Sequence, residues 1–114
     1  MNFIPGFRIF SCFLNSESQN SKVIQSYRGK ETERFARGKR TKLPPEILER
    51  ADLKLFDLDN AVTLDDLRFP PSNRLEALTG DRDGEHSIRI NSQWRICFRW
   101  ADGHAHDVEI TDYH

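Results

Sequence analysis

The stretch Trp94-Arg-Ile-Cys-Phe-Arg-Trp100 alternates bulky apolar residues with arginine and cysteine along its whole length. A strand turns successive side chains to opposite faces. Trp94, Ile96, Phe98 and Trp100 therefore share one face, and Arg95, Cys97 and Arg99 share the other. In the run before it, Glu85 to Ile90, the two isoleucines Ile88 and Ile90 share a face and leave Ser87 and Arg89 opposite. Keeping apolar residues on a common side sets the register. A loop of Asn91-Ser92-Gln93 pairs Ile90 with Trp94 and Ile88 with Ile96, whereas a two-residue loop would mix the faces. Downstream, Ala101-Asp102-Gly103 has hairpin-turn chemistry and leads into a strand from His104 to Ile110. Upstream, Arg74 to Leu78 reads as a further strand, joined through the two-glycine turn Gly80-Asp-Arg-Asp-Gly84. The C-terminal part is thus an antiparallel meander, and helices before it must cover its apolar face.

The chosen register has a cost. It sets Arg89 directly across from Arg95, and like charges facing each other across two strands destabilise a sheet. Two readings account for it. Asp107 and Glu109 of the last strand have the parity to pair with the arginines. Alternatively, the arginines converge on a phosphate, which guanidinium groups grip in bidentate fashion. Cys97, on the same face, has no local histidine to activate it and reads as a small packing residue. His104 and His106 share a strand face, but H-x-H with no third ligand is weak evidence for zinc, so no metal or cofactor is expected.

Ahead of the meander, Val23 to Tyr27 is β-prone and reads as a short first strand. Lys30 to Arg37 holds good helix formers, with Thr32 and Phe35 on one side and Gly38 at the C-terminal stop. Pro44-Pro45 opens a longer helix in which Ile47, Leu48, Ala51, Leu55 and Leu58 follow helical spacing. Thr63-Leu-Asp-Asp66 has capping-box spacing and starts one more helical turn, which Pro70-Pro71 ends. Residues 1–14 are rich in apolar side chains and 15–22 are wholly polar. This leading segment, 1–22, is read as a disordered extension or a mis-assigned start, with the domain at 23–114. An export signal is the competing reading, against which stand the absent basic start and the interruption by Arg8.

With 114 residues the chain is one domain. Seventeen Lys and Arg against eighteen Asp and Glu give a net charge of −1, so no global positive field draws it to nucleic acid. Setting aside Arg8, Lys22 and Glu17 leaves fifteen basic and seventeen acidic residues in 23–114, a net charge of −2. The positive charge is local: Lys30, Arg34, Arg37, Lys39, Arg40 and Lys42 lie within Gly29–Lys42 against Glu31 and Glu33. Eight Phe, two Trp and two Tyr argue against a disordered chain, and two cysteines fit a reducing compartment. No run approaches the ~18 apolar residues that span a bilayer, so no membrane partner is expected.

Gly80-Asp-Arg, Ser87-Ile-Arg-Ile-Asn91, Gln93-Trp-Arg-Ile-Cys-Phe-Arg99 and the terminal Asp112-Tyr-His114 resemble the HigB branch of the RelE-type toxins, as does the opening Val23-Ile-Gln-Ser-Tyr-Arg28. The resemblance covers about residues 23–114. It implies an α+β, RelE-like fold: an N-terminal strand and two to three helices packed on one face of a mainly antiparallel four- to five-stranded sheet. It also implies a cytoplasmic, metal-independent endoribonuclease that cuts mRNA in the ribosomal A site with the RNA 2′-hydroxyl as nucleophile. The implied partners are the ribosome, mRNA and a cognate HigA-like helix-turn-helix antitoxin. By the same resemblance Arg95 stabilises charge on the phosphate, and Asp112, Tyr113 and His114 form an acid–base cluster with His114 carrying the proton.

The chain departs from this pattern at one place. Where some relatives carry His and Lys before the Gly-Asp-Arg turn, it has Glu76 and Thr79. Glu76 can serve as general base if burial raises its pKa; otherwise it is a solvated carboxylate beside Arg74 or Arg82. With no lysine at position 79, Arg82 or Arg89 would have to hold the phosphate, aided by Arg99, Lys39 and Arg40. The alternative function is a catalytically weak module of the same fold that acts mainly through antitoxin binding.

Overall fold

The computed structural model describes residues 22–112; the expectations for residues 1–21 and for Tyr113 and His114 lie outside the described residues. Helix α1, Lys30–Ala36, buries Thr32 and Phe35, the two residues expected on its inner side. Its end is set by Gly38, whose φ of 77° suits a residue without a Cβ. The N–H of Gly38 reaches the Phe35 carbonyl at 3.0 Å and that of Lys39 the Arg34 carbonyl at 2.8 Å. Helix α2, Pro45–Asp59, starts on a proline, whose missing N–H costs nothing in the first turn. Ile47, Ala51, Leu55 and Leu58 form its buried stripe. At its far end the Asp59 carboxylate accepts from the N–H groups of Val23 and Ile24 at 3.0 and 2.9 Å. That contact ties the start of the described chain to the helix.

The capping box also forms, opening a 3-10 helix at Leu64–Arg68. Asp66 N–H reaches Thr63 Oγ1 at 3.3 Å, and Thr63 N–H reaches Asp66 Oδ2 at 3.0 Å. The Thr63 N–H, then that of Val62, hold the Asp66 carboxyl below its usual range. A carboxylate with a depressed folded pKa stabilises the fold above its unfolded value, near 4, and loses that contribution as pH falls through the folded value. Urea midpoints measured from about pH 6 down to about pH 3 should therefore fall more steeply for the unsubstituted protein than for Asp66→Asn. Parallel slopes would show that the cap carries no acid dependence.

Among the described residues, four strands form one sheet in the order β1-β2-β3-β4: Glu76–Ala77, Glu85–Arg89, Trp94–Ala101 and His104–Asp112. Every neighbouring pair is antiparallel. The two-residue turn Asp102-Gly103 joins β3 to β4 with positive φ at both positions, 55° and 79°, the twist a tight hairpin needs. The register is the expected one, Ile88 opposite Ile96 and Arg89 opposite Arg95. Ile88, Ile90, Ile96, Phe98, Val108 and Ile110 pack against Phe35, Ile47, Ala51, Leu55 and Leu58 in a single core. The α+β, RelE-like architecture is therefore observed, with two α-helices on a four-stranded antiparallel sheet among the described residues.

Three features depart from the sequence reading. Val23 to Tyr27 is not a continuous strand: it lies parallel to β4 through two isolated bridges, Ile24 with Ala105 and Tyr27 with Val108. Its partner strand is the cause. β4 bulges at Asp107, where φ is 54°, and the register with β3 slips between Cys97 and Arg99. The strand expected over Arg74–Leu78 shrinks to Glu76–Ala77. Pro71–Asn73 is a 3-10 turn, and Arg74 behind it is left-handed with φ 47°. Buried Asn73 enforces this, donating to the Leu67 and Phe69 carbonyls at 3.1 and 3.2 Å while accepting from Lys54 Nζ.

Candidate active site

The face of the sheet away from the helices is polar, and its rows follow from the register. Glu76 pairs with Ser87, Ser87 with Cys97, and Cys97 with Glu109, while Arg89 pairs with Arg95 and Arg95 with Thr111. Arg95 is only 9% exposed. Its Nε donates to Ser87 Oγ at 2.7 Å, and its terminal nitrogen donates to the Arg74 carbonyl at 2.8 Å and lies 3.4 Å from Glu76 Oε1. The guanidinium plane is thus held from two strands and from the left-handed turn at Arg74. It lines an open cleft of about 670 Å³ with Pro71, Ser72, Arg74, Leu75 and Glu76.

The other arginines of this face divide sharply. Arg82 donates to Glu85 at 3.0 Å and Glu109 at 2.8 Å, and the Glu109 hydrogen bond holds it more firmly in its charged form. Arg28 adds contacts of 3.3 Å to Glu85 and 3.7 Å to Glu109, while Arg99 lies 3.4 Å from Asp107. Asp107 and Glu109 of β4 therefore pair with Arg28, Arg82 and Arg99. The bulge at Asp107 shifts that carboxylate toward Arg99 and Arg28. Among the described residues, the Arg89 side chain forms no hydrogen bond or ion pair.

Glu76 does not meet the condition set for it. Its side chain is 54% exposed at the edge strand, so the burial is absent. It stands instead as the ionic partner of Arg95, not of Arg74 or Arg82. Asp112 accepts from Gln93 Nε2 at 2.9 Å and follows Thr111, the residue across from Arg95. Lys39 and Arg40 are exposed beyond α1 and line neither cleft at Arg74. Thr79 is exposed before the Gly80–Arg82 turn.

Cys97 is fully buried under this face. Burial pushes its thiol up, and the nearby Arg82 opposes the shift only in part. It should stay unmodified by a thiol alkylator in the folded protein and react once urea unfolds the chain; rapid labelling of folded protein would contradict this placement. His104 and His106 do share a face, their ring centroids 6.5 Å apart, but no cluster of three metal-ligating side chains occurs among the described residues. No helix of the described residues is long and apolar enough to cross a membrane.

Three cations were not marked by the sequence patterning. Arg50, Lys54 and Arg74 line a second cleft of about 660 Å³ with Arg89. Arg50 and Lys54 are four apart and so share a helix face, which is visible in the sequence. That Arg74 joins them depends on its left-handed backbone, which no local pattern announces.

Comparison with known proteins agrees with this geometry. The family described as RelE-like toxin of type II toxin-antitoxin system HigB matches residues 25–114. Toxin HigB-1 of Vibrio cholerae is 48% identical over 68 residues, 59% of this chain and 72% of that protein. Endoribonuclease HigB of Proteus vulgaris is 31% identical over 80 residues, 70% of this chain and 86% of that protein. A Haemophilus influenzae protein of uncharacterised function is 28% identical over 73 residues, 64% of this chain and 72% of its own. With the sheet, the buried strand arginine and these matches in agreement, the chain belongs to the HigB family of RelE-like toxins of type II toxin–antitoxin systems.

Proposed function

We propose that this toxin is an endoribonuclease that cuts mRNA in the ribosomal A site, arrests growth in the cytoplasm, and is neutralised by a HigA-like helix-turn-helix antitoxin. The observation that carries the reading is Arg95, an arginine held in place at the floor of an open cleft. Donors fixed before the reaction stabilise developing charge without reorganising. In this reading the 2′-oxygen of the substrate bonds to the adjacent phosphorus, and the bond from phosphorus to the 5′-oxygen breaks. A 2′,3′-cyclic phosphate and a 5′-hydroxyl result. Arg95 bears on the non-bridging oxygens, whose charge grows as phosphorus becomes five-coordinate.

The 2′-hydroxyl proton passes to a base and the 5′-oxygen receives one from an acid. Asp112, Tyr113 and His114 are assigned to this work, with His114 as the proton carrier. An imidazole with an ordinary pKa of about 6.5 both gives and takes protons near neutrality. Supporting this assignment, Asp112 follows directly on the residue opposite Arg95. Glu76, in the same cleft, is left as the ionic partner of Arg95 rather than as the base. Arg89 is assigned to the phosphate backbone. Arg82 and Arg99, already paired with carboxylates, contribute field rather than contact.

A second reading draws on the 3.4 Å approach of Glu76 to Arg95, which offsets part of the arginine's charge. Here the protein is a weak nuclease that acts mainly by binding its antitoxin. Induction of the chain in bacteria, with mRNA 5′-ends mapped, separates the two. Growth arrest with new 5′-ends, both abolished by deleting His114, is the expected result. Arrest that survives the deletion with no new 5′-ends would overturn the nuclease assignment.

A further inference from the structure

We propose that the cleft between α2 and the β2–β3 turn is a second RNA subsite, which holds the phosphodiester backbone of the substrate strand beside the cleaved bond. The inference rests on the nuclease reading above and extends it to residues outside the reacting centre. The cleft is lined by Arg50, Lys54, Arg74 and Arg89, with Asp57 the one acidic residue among its walls. No ion pair neutralises any of these four cations among the described residues. Arg50 donates to the Ile90 carbonyl at 3.3 Å, and Lys54 donates to the Asn73 side-chain oxygen. Both acceptors are uncharged, so the two side chains are positioned while their charge stays available. Arg74 and Arg89 contribute guanidinium groups with no side-chain hydrogen bond among the described residues.

Position makes the cleft part of the site. Ser72 and Arg74 line both this cleft and the one that contains Arg95 and Glu76. Arg89 stands directly across the sheet from Arg95. A strand with its reacting phosphate on Arg95 can therefore run past Arg74 and Arg89 to Lys54 and Arg50 over a continuous cationic surface. This also accounts for the facing arginines: Arg95 serves the reacting phosphate and Arg89 its neighbour, so the bound polyanion relieves their mutual repulsion. An acidic protein segment fits less well, because Leu53 is the only exposed large apolar side chain in the lining to anchor it.

The test uses the full chain and an RNA oligonucleotide made non-cleavable by one 2′-deoxy nucleotide at the cut position, with affinity followed by fluorescence anisotropy across a salt series. Arg50→Gln keeps a donor for the Ile90 carbonyl, and Arg89→Gln breaks no hydrogen bond among the described residues, so both variants should fold. Their combination should weaken binding by about tenfold or more, equally for oligonucleotides of different sequence. The salt slope should fall by about 0.7 for each lost phosphate contact. If affinity and slope are unchanged while the unsubstituted chain binds the RNA, the subsite is wrong and the nuclease reading stands. If the double variant loses affinity only for vacant ribosomes, or only for antitoxin, the substrate strand is not the occupant and the proposal is overturned. An unsubstituted chain that neither binds the RNA nor cuts mRNA on ribosomes would remove the nuclease reading itself.

Discussion

Replacing Arg95 with alanine should lower mRNA cleavage by about 10²–10³-fold, the usual loss when one fixed transition-state donor is removed. The reason lies in how the side chain is held. At 9% exposure, with hydrogen bonds of 2.7 and 2.8 Å to Ser87 and to the Arg74 carbonyl, it does not have to be ordered when substrate arrives. The same contacts mean that truncation also leaves two acceptors short of a donor, at about 1–3 kcal/mol for each that stays dry. Relief of the repulsion from Arg89 offsets part of this. Cleavage must therefore be compared at a temperature where a melt shows both proteins folded. Arg95→Lys separates charge from geometry. A single ammonium group cannot reproduce the planar fork, so it should recover stability more than rate. A folded Arg95→Ala protein that cleaves within a few-fold of the original would remove Arg95 from the chemistry.

Three residues along the strand and on its other face, Phe98→Ala should give the largest loss of stability, about 3–5 kcal/mol. Phe98 has no exposed surface and is central to the core, stacked near His86 at 6.3 Å and edge-on to Trp100 at 6.4 Å. Its removal opens a cavity between the sheet and the helices, and β3, paired on both sides, is poorly placed to close it. Against the 5–15 kcal/mol typical of a whole domain, this is a substantial fraction. The urea midpoint should fall with little change in slope. Cys97→Ala is the control from the opposite face, also buried but short by only one sulfur, and should cost far less. A loss below about 1 kcal/mol for Phe98→Ala would mean that the core lies elsewhere than the strand alternation places it.

These two positions also show what could be read in the sequence. Phe98 was legible because alternation is a property of the strand itself, and only one face of this sheet can meet the helices. The facing of Arg89 and Arg95 followed from the same alternation together with the three-residue loop. The capping box, the proline start of α2 and the Asp102-Gly103 turn were legible because hydrogen bonds and φ preferences act over a few residues. β1 is shorter than alternation predicts because the bonds of Asn73 to Leu67, Phe69 and Lys54 outcompete a ladder that Arg74 would otherwise join. The slip in β4 had no local signal beyond an aspartate that tolerates φ of 54°.

The site divides along the same line. Alternation and turn chemistry by themselves determined the meander, its register, its two faces, and that Arg95 and Arg89 must stand together away from the core. Only the tertiary structure decided which cations are neutralised. Arg82 meets Glu109, Arg28 meets Glu85, and Arg95 meets Ser87 and the Arg74 carbonyl, while Arg50 and Lys54 arrive from a helix beside Arg89. The physical reason is range. Backbone periodicity is fixed by neighbouring residues, whereas the charge left over at a surface depends on which distant carboxylates the fold brings within about 4 Å of each cation.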